Sequence, residues 1–164
     1  KYKDAYFKRF KNIWRHGDYA EVKKTGGFVI YGRSDTTLNP GGVGWGTAEI
    51  YSEVEKFNEV NESIAVGQSW DNDIRIILFV VMNKKYSLSK NLLNKIKSQI
   101  KKNASPRHVP TKVIVVKDIP RTKSGKIVEL AVKNTIEGNR IKNKEALANP
   151  EVLDYFKNLK ELNY

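Results

Sequence analysis

The strongest constraint on the fold is a pair of apolar segments separated by a short polar turn. Ile64–Trp70 and Ile74–Met82 contain β-branched and aromatic side chains, and the sequence Asp-Asn-Asp lies between them at positions 71–73. Segments of this composition on either side of a turn sequence predict a β-hairpin. We therefore expect the fold to contain a sheet that includes these two strands.

The segments around this hairpin alternate between helical and extended patterns. Helices are predicted from an N-cap at Thr47 to about Phe57 and from an N-cap at Ser89 to about Lys102. Further elements are expected as follows: a strand at 111–116, a helix that carries Val128, Val132 and Ile136 and ends at Gly138, and a short helix that begins at Pro150. This order predicts an α+β fold with a small sheet of about three strands packed against helices.

A separate β-hairpin is expected upstream. Tyr19–Val22 and Phe28–Tyr31 are β-favouring runs on either side of a Lys-Thr-Gly-Gly turn. The segment that follows contains Pro40 and four glycines between Gly41 and Gly46. This composition is typical of a linker or a binding loop.

The composition excludes several classes of site. The chain has no cysteine and only two histidines, His16 and His108, which are far apart in the sequence. Disulfides, thiolate catalysis and cysteine-ligated metal are therefore excluded, no metal site is expected, and a reducing cytoplasm is the expected compartment. No apolar run approaches the roughly 20 residues that span a bilayer. The first residue is Lys and the only methionine is Met82, so we expect a piece of a longer protein without a signal peptide.

The charge of the chain is concentrated in one block. Residues 83–144 contain seventeen basic and three acidic side chains, whereas the whole chain has a formal net charge of +12. Such a block attracts phosphate groups. A solvated lysine-rich surface, a nucleic-acid-binding surface and a site for a small polyanionic ligand all agree with this pattern. The sequence has no zinc-finger spacing and no aromatic RNA-binding motif that favours nucleic acid.

The sequence PRTKSGKI, at Pro120–Ile127, concentrates basic residues around a Ser-Gly turn. Arg121, Lys123 and Lys126 belong to it, and Lys117 lies just upstream. A phosphate-binding loop of the Walker type needs a glycine five positions before its Gly-Lys pair and a Ser or Thr after the pair. Pro120 and Ile127 occupy those positions, so this interpretation is excluded.

Four motifs in order carry a resemblance to a known family. They are HGD at His16–Asp18, YGRSD at Tyr31–Asp35, GGVGWGTAEIY at Gly41–Tyr51 and PRTKSGKI at Pro120–Ile127. Together they resemble the C-terminal part of the acyl-CoA synthetases, which belong to the adenylate-forming superfamily. This resemblance covers nearly the whole chain, and it implies a much larger N-terminal domain outside the sequence.

The resemblance also implies a reaction. Members of the family join a carboxylic acid to the α-phosphate of Mg²⁺–ATP and then transfer the acyl group to the thiol of CoA. The sequences GRSDTTLNPGGV, SPRHVP and NPEVLDYFKNLKEL are most similar to members that activate acetoacetate. ATP, Mg²⁺ and CoA are therefore the expected substrates and cofactors of the whole enzyme, with no membrane or nucleic acid partner. Another short-chain acid such as acetate or propionate, and a basic nucleic-acid-binding module, are the alternatives.

The family motifs imply a role for four residues. Lys126 corresponds to the lysine that reaches the reacting carboxylate and phosphate oxygens, where a fixed cation lowers the repulsion between two anions. Asp18 corresponds to the residue that holds the ribose hydroxyls, and Arg33 to an arginine near the ribose and phosphate. Asp35 matches the hinge about which the C-terminal domain rotates between the two steps. Without the resemblance, each is interpreted as an ordinary turn or surface residue.

The resemblance also implies a CoA-binding loop. Gly41, Gly42 and Val43 match the loop that lines the pantetheine tunnel, where glycine lets the backbone approach the ligand. The sequence departs from the family at the next two positions, because Gly44 replaces the usual arginine and Trp45 a smaller apolar residue. These matches divide the chain into residues 1–34, the tail of the large domain, and residues 35–164, the mobile C-terminal domain. The isolated chain is expected to be inactive.

Overall fold

A computed structural model of the chain describes residues 2–36, 38, 40, 44, 46–141 and 143–164. Within these residues the α-helices are α1 (Tyr2–Tyr6), α2 (Ala48–Val54), α3 (Lys90–Asn103) and α4 (Glu129–Ile136). The strands are β1 (Asp18–Val22), β2 (Phe28–Arg33), β3 (Val60–Trp70), β4 (Asp73–Met82) and β5 (Lys112–Val115). Short 3₁₀ helices span Pro106–His108, Lys144–Ala146, Pro150–Phe156 and Lys160–Leu162.

The main sheet has three strands in the order β3-β4-β5. Strand β4 is central, pairing antiparallel with β3 and parallel with β5. Helix α3 makes the crossover between the two parallel strands, as such a connection requires. Strands β1 and β2 form a separate antiparallel pair. The structure is therefore α+β, with a mixed three-stranded sheet and a preceding hairpin, as the sequence predicts.

The β3–β4 hairpin is closed by a two-residue turn. Trp70 pairs with Asp73, and the residues between them, Asp71 and Asn72, have φ angles of 49° and 58°. Two successive positive φ angles are characteristic of the turn that matches the twist of a tight hairpin, and Asp and Asn adopt them more readily than most residues. The expected hairpin around Asp-Asn-Asp is thus confirmed.

Side chains from both faces of the sheet are buried. One face carries Ala65, Ile76, Leu78 and Val80 and packs against Ile50 and Val54 of α2 and Leu92, Ile96 and Ile100 of α3. The other face carries Ile64, Val66, Ile77 and Phe79 and packs against Val132 of α4 and against Val152, Phe156 and Leu162. The residues after α4 therefore complete the second half of the core.

The predicted helix boundaries are largely confirmed, with one correction. The Ser89 hydroxyl accepts a hydrogen bond from the Leu92 amide at 3.2 Å, and Gly138 follows α4 with a φ of 70°. Thr47, in contrast, does not cap α2 with its side chain. Its backbone is already helical, at φ −71° and ψ −23°, and the residue is buried, so the hydroxyl is not placed to accept from the first turn.

Two further differences concern the extent of elements. Helix α2 ends at Val54 rather than near Phe57, and β3 begins at Val60 rather than Ile64. The polar start of β3 is held by pairing with β4, where Glu62 faces Val81 and Ser63 faces Val80. Hydrogen bonding to a neighbouring strand, not apolar composition, extends the strand. Helix α1 was not predicted.

The upstream hairpin contributes nothing to the buried clusters. Eight of the eleven residues of β1 and β2 are exposed, and Val22, Phe28 and Ile30 have 64%, 72% and 55% of their surface accessible to solvent. The hairpin approaches the rest of the described chain closely at Gly46, which is buried against the Tyr31 carbonyl. A Cβ added at Gly46 would overlap that carbonyl group, so only glycine permits this approach.

The two sheets should differ in resistance to local opening. In the 164-residue chain, we expect the amides of Ile76–Val80 to exchange with solvent far more slowly than those of β1 and β2, because only the former lie between two covered faces. Hydrogen exchange measured by mass spectrometry on overlapping peptides reports both. Equal protection in the two regions would contradict this expectation.

The contact between Phe79 and Phe156 should be a major source of stability. The rings are fully buried and meet edge to face with centroids 4.9 Å apart. Phe156→Ala is expected to lower the free energy of unfolding by about 3–5 kcal/mol, because it leaves a cavity on the second face of the sheet. Urea unfolding measures the loss. Tyr155→Ala, at the adjacent exposed position, is the matched control, and an equal loss there would show that burial of Phe156 is not the cause.

Candidate functional site

The loop that carries Lys126 is a closed turn. The Thr122 amide donates to the Lys126 carbonyl at 2.8 Å, and the Gly125 amide donates to the Thr122 carbonyl at 2.8 Å. The Thr122 hydroxyl accepts from the Lys126 amide at 3.1 Å. Gly125 has a φ of 81°, a conformation that favours glycine. Lys126 therefore extends from a structured backbone rather than from a flexible loop.

The four basic residues of this region have different surroundings. Arg121 forms an ion pair with Glu62 of β3, with Nη2 and Oε1 2.5 Å apart, and its Nη1 donates to the Gly125 carbonyl at 3.1 Å. The Lys117 ammonium lies 5.7 Å from the centre of the Tyr155 ring. Lys123 and Lys126 are exposed, and in the described part of the chain their ammonium groups have no hydrogen-bond or ion-pair partner. Arg121 thus stabilises the loop, while Lys126 is available to a ligand.

A buried phenol supports the sheet beside this loop. The Tyr51 hydroxyl of α2 donates to Glu129 at the start of α4 at 2.5 Å and accepts from the Ala65 amide of β3 at 3.1 Å. Burial of the hydroxyl, and then the Glu129 carboxylate, raise the pKa of Tyr51 well above its ordinary value. The phenol is therefore neutral at physiological pH and joins three elements, of which α4 follows the Lys126 loop directly.

A second group of polar residues lies on the upstream hairpin. Asp18 and Arg33 face each other across β1 and β2. Arg33 Nη1 lies 3.3 Å from an Asp18 carboxylate oxygen, and Arg33 Nε lies 3.4 Å from an Asp35 carboxylate oxygen. The other Asp18 oxygen forms a short hydrogen bond with His16 Nδ1. The structure therefore brings together Asp18, Arg33 and Asp35, three residues singled out from the sequence.

The hairpin group is held in place by its backbone. The Ser34 amide and hydroxyl both donate to the Gly17 carbonyl, at 2.9 Å each. Arg33 Nη1 also donates to the His16 carbonyl at 3.1 Å. No hydrogen bond or ion pair within the described residues joins this group to Lys126. The two groups of predicted site residues are therefore separate in this structure.

The predicted CoA-binding loop is only partly described. Gly41, Gly42, Val43 and Trp45 lie outside the described residues. Gly44, together with Tyr19, Tyr31 and Glu49, lines a cavity of about 320 Å³ between the upstream hairpin and the start of α2. Gly44 therefore lies beside the hairpin.

His108 is a packed residue. It is 1% exposed, and its ring nitrogens bond to the Ser105 hydroxyl and to a Glu49 oxygen, both at 2.8 Å. The ring thus connects the segment after α3 to α2. This arrangement is structural and gives the imidazole no access to a ligand.

Sequence reasoning missed two residues that shape the loop, Glu62 and Asn149. Glu62 lies in a polar stretch that gave no strand signal, and Asn149 accepts a hydrogen bond from the Arg121 amide at 2.8 Å from 28 residues away. A lone Glu or Asn at such a distance carries no motif. The only signal in the sequence was the charge of Arg121, because a partly buried guanidinium is usually paired with a carboxylate.

The described residues contain neither a candidate membrane span nor a cluster of metal-ligating side chains. No helix there has the length and hydrophobicity needed to cross a bilayer. Nor does any group of three or more His, Asp or Glu side chains in that part of the chain come close enough together to hold a metal ion.

The comparisons with known proteins agree with the motifs. Residues 49–126 match the family of the AMP-binding enzyme C-terminal domain, so the match ends at Lys126. Over 162 residues the chain is 59% identical to acetoacetyl-coenzyme A synthetase of Rhizobium meliloti. The alignment covers 99% of this chain and 25% of that protein. The chain is 49% identical to acetoacetyl-CoA synthetase of Xenopus tropicalis, in an alignment that covers 99% of this chain and 24% of that protein. The chain therefore spans about a quarter of the length of these relatives.

Solved structures give the same result. Acetoacetyl-CoA synthetase from Streptomyces lividans superposes with a TM-score of 0.88 at 37% identity, covering 99% of this chain and 25% of that one. A benzoate CoA ligase from Burkholderia xenovorans superposes with a TM-score of 0.65 at 25% identity, covering 76% of this chain and 25% of that one. These matches do not favour a nucleic-acid-binding module. Residues 49–126 therefore match the AMP-binding enzyme C-terminal domain, and the chain as a whole is similar to the C-terminal part of acetoacetyl-CoA synthetases.

Proposed function

We propose that this chain is the C-terminal part of an ATP-dependent acid–thiol ligase that activates acetoacetate and transfers it to CoA. The observation that carries the proposal is the exposed ammonium of Lys126, which extends from a hydrogen-bonded turn and has no hydrogen-bond or ion-pair partner among the described residues. Identity to acetoacetyl-CoA synthetases along 99% of the chain supports the choice of reaction and of acid. The acid-binding pocket belongs to the part of the enzyme outside this chain, so acetate or propionate remains the alternative substrate.

Lys126 acts in the first step. A carboxylate oxygen of the acid attacks the α-phosphorus of ATP, the bond from that phosphorus to the bridging oxygen breaks, and pyrophosphate leaves. Two anions must approach each other, and a preorganised ammonium stabilises the charge on the reacting oxygens. Because the turn around Gly125 is fixed by its own hydrogen bonds, the cation needs little reorganisation when the loop reaches the site.

Asp18 and Arg33 hold the nucleotide. The Asp18 carboxylate accepts hydrogen bonds from both ribose hydroxyls, and the Arg33 guanidinium lies beside the ribose and phosphate. Their positions on paired strands, with Arg33 Nη1 3.3 Å from Asp18, support a joint role.

Asp35 is the hinge between two domains. Residues 1–34 form the tail of the large domain, and residues 35–164 rotate as the mobile domain after the adenylate has formed. The exposed apolar side chains of β1 and β2 support this division, because such side chains need a covering partner. Rotation withdraws Lys126 and brings Gly41, Gly42 and Val43 to the pantetheine arm. The CoA sulfur then attacks the acyl carbon, its proton is lost, and AMP leaves.

Mg²⁺ enters this reaction bound to ATP. The described residues contain no group of three or more carboxylates and imidazoles suited to a divalent cation. No step proposed for this chain passes through the ion. The isolated chain is inactive, since the acid pocket and most ATP contacts lie elsewhere.

Lys126→Ala in the full-length enzyme should separate the two steps. Adenylation, measured by pyrophosphate exchange, is expected to fall by at least about 10²–10³-fold, as when one preorganised transition-state donor is lost. Thioester formation from supplied acyl-adenylate and CoA should remain close to normal. Lys126→Arg should restore little, because a planar guanidinium does not replace a compact ammonium in a tight site.

Lys123→Ala is the matched control for this experiment, because Lys123 is an exposed cation on the same loop. It should leave both steps within a few-fold of the wild-type rates, since a surface charge is screened. An equal fall in both steps for Lys126→Ala, or an equal effect of the two substitutions, would contradict the assigned role.

Gly44→Arg should act on the second step. The substitution places a cation beside the CoA-binding loop, and one charge-assisted contact with a CoA phosphate is worth roughly 1.5–3 kcal/mol. We expect a lower KM for CoA and unchanged pyrophosphate exchange. Gly44→Ala, which adds a methyl group without charge, controls for backbone effects. If the arginine alters adenylation and leaves the CoA dependence unchanged, the loop does not serve CoA.

A further inference from the structure

The loop that carries Lys126 is held along one side by a segment that follows α4. Residues 143–149 run beside the loop, beyond the end of the family match at Lys126. The backbone links are the bridge between Thr122 and Leu147, the Lys123 amide to the Ala146 carbonyl at 3.1 Å, and the Ala148 amide to the Arg121 carbonyl at 2.8 Å. This segment therefore adds a partial strand to the first half of the loop.

Asn149 ends this segment and uses both ends of its side-chain amide. Its Oδ1 accepts from the Arg121 amide at 2.8 Å, and its Nδ2 donates to the Ile119 carbonyl at 3.0 Å and to an Asp118 carboxylate oxygen at 3.2 Å. Three hydrogen bonds from one half-buried side chain thus hold Asp118, Ile119 and Arg121 at the start of the loop. A side-chain amide can make all three bonds, because its oxygen accepts one hydrogen bond and its NH₂ group donates two.

Arg121 transmits this restraint into the turn. Its backbone is held by Asn149, and its guanidinium is held by Glu62 with Nη2 and Oε1 2.5 Å apart. The same guanidinium donates to the Gly125 carbonyl, directly before Lys126, at 3.1 Å. A continuous set of hydrogen bonds therefore runs from Asn149 through Arg121 to the residue that precedes the proposed catalytic lysine.

We propose that Asn149 is a positioning residue for Lys126 in adenylation, acting through Arg121 and the turn at Gly125. This inference rests on the proposed function of Lys126. Asn149 itself touches no reacting atom in this scheme. Its contribution arises because a small misplacement of a catalytic group lowers the rate of a step strongly without affecting steps that do not use the group.

The test is Asn149→Ala in the full-length enzyme. The substitution removes all three side-chain bonds, so the Arg121 backbone and the turn lose a restraint. Pyrophosphate exchange is expected to fall by about 10-fold to 100-fold. Thioester formation from supplied acyl-adenylate should stay within about 2-fold of wild type, because Lys126 is withdrawn in that step.

Two additional measurements separate positioning from folding. Hydrogen exchange should become faster in peptides that cover Arg121–Lys126, while peptides of β4 keep their protection. Asn149→Ser provides a hydroxyl that can accept one hydrogen bond and donate another, so its adenylation rate should lie between those of wild type and Asn149→Ala. Asn163→Ala is the matched control, because Asn163 is exposed in the same C-terminal part of the chain and lies outside these bonds. It should leave both half-reactions unchanged.

The outcomes are distinct from those that test the proposed function. If Lys126→Ala abolishes adenylation but Asn149→Ala leaves it unchanged, the positioning role is wrong and the function of Lys126 stands. If Asn149→Ala lowers both half-reactions equally, together with the melting temperature and the protection of β4, Asn149 serves the fold and the positioning role is again wrong. If Lys126→Ala leaves adenylation unchanged, the proposed function itself fails.

Discussion

The pairing of β4 with both of its neighbours is the interaction on which the rest of the domain depends. Four successive β4 residues are completely buried: Ile77, Leu78, Phe79 and Val80. Their backbone is paired with β3 on one side and with β5 on the other. A strand in this position must alternate its side chains between two cores, so both faces need a cover. Helices α2 and α3 cover one face, and α4 with the last turns of the chain covers the other.

This arrangement gives a rigid base to a small exposed loop. Strand β5 lies along β4 and leads through buried Ile119 and Pro120 into the Lys126 turn, and α4 returns to the second face of the sheet. Glu62 at the start of β3 meets Arg121 at the base of the same turn. The loop is thus tied to a packed sheet, and in the proposed domain rotation Lys126 would move with that sheet as a unit.

Much of the fold was predictable because its signals are local. The apolar runs of β3 and β4, the Ser89 cap and the positive φ at Gly138 each depend on residues close together in sequence. The start of β3 at Val60 and the absence of a side-chain cap at Thr47 were not predictable, since both follow from tertiary contacts. In the site, the family motifs indicated Lys126, Asp18, Arg33 and Asp35, and their roles stay predictions.

The bonds that hold the Lys126 turn were beyond sequence reasoning for the same reason. Asn149 lies 28 residues from Arg121, and neither Asn149 nor Glu62 belongs to a recognisable pattern. Only the return of the chain after α4 brings them to the loop. Family resemblance identifies the residue that meets the substrate more readily than the residues that hold it in place.

The most direct measurement is a crystal structure of the full-length enzyme trapped before adenylation, with magnesium ATP and an unreactive acid analogue. We expect the Lys126 ammonium to lie within about 3 Å of a carboxylate or α-phosphate oxygen, a hydrogen-bond distance. Asp18 should accept hydrogen bonds from the ribose hydroxyls. A complex with both substrates bound, in which Lys126 stays in solvent and another cation contacts those oxygens, would contradict the role proposed for Lys126.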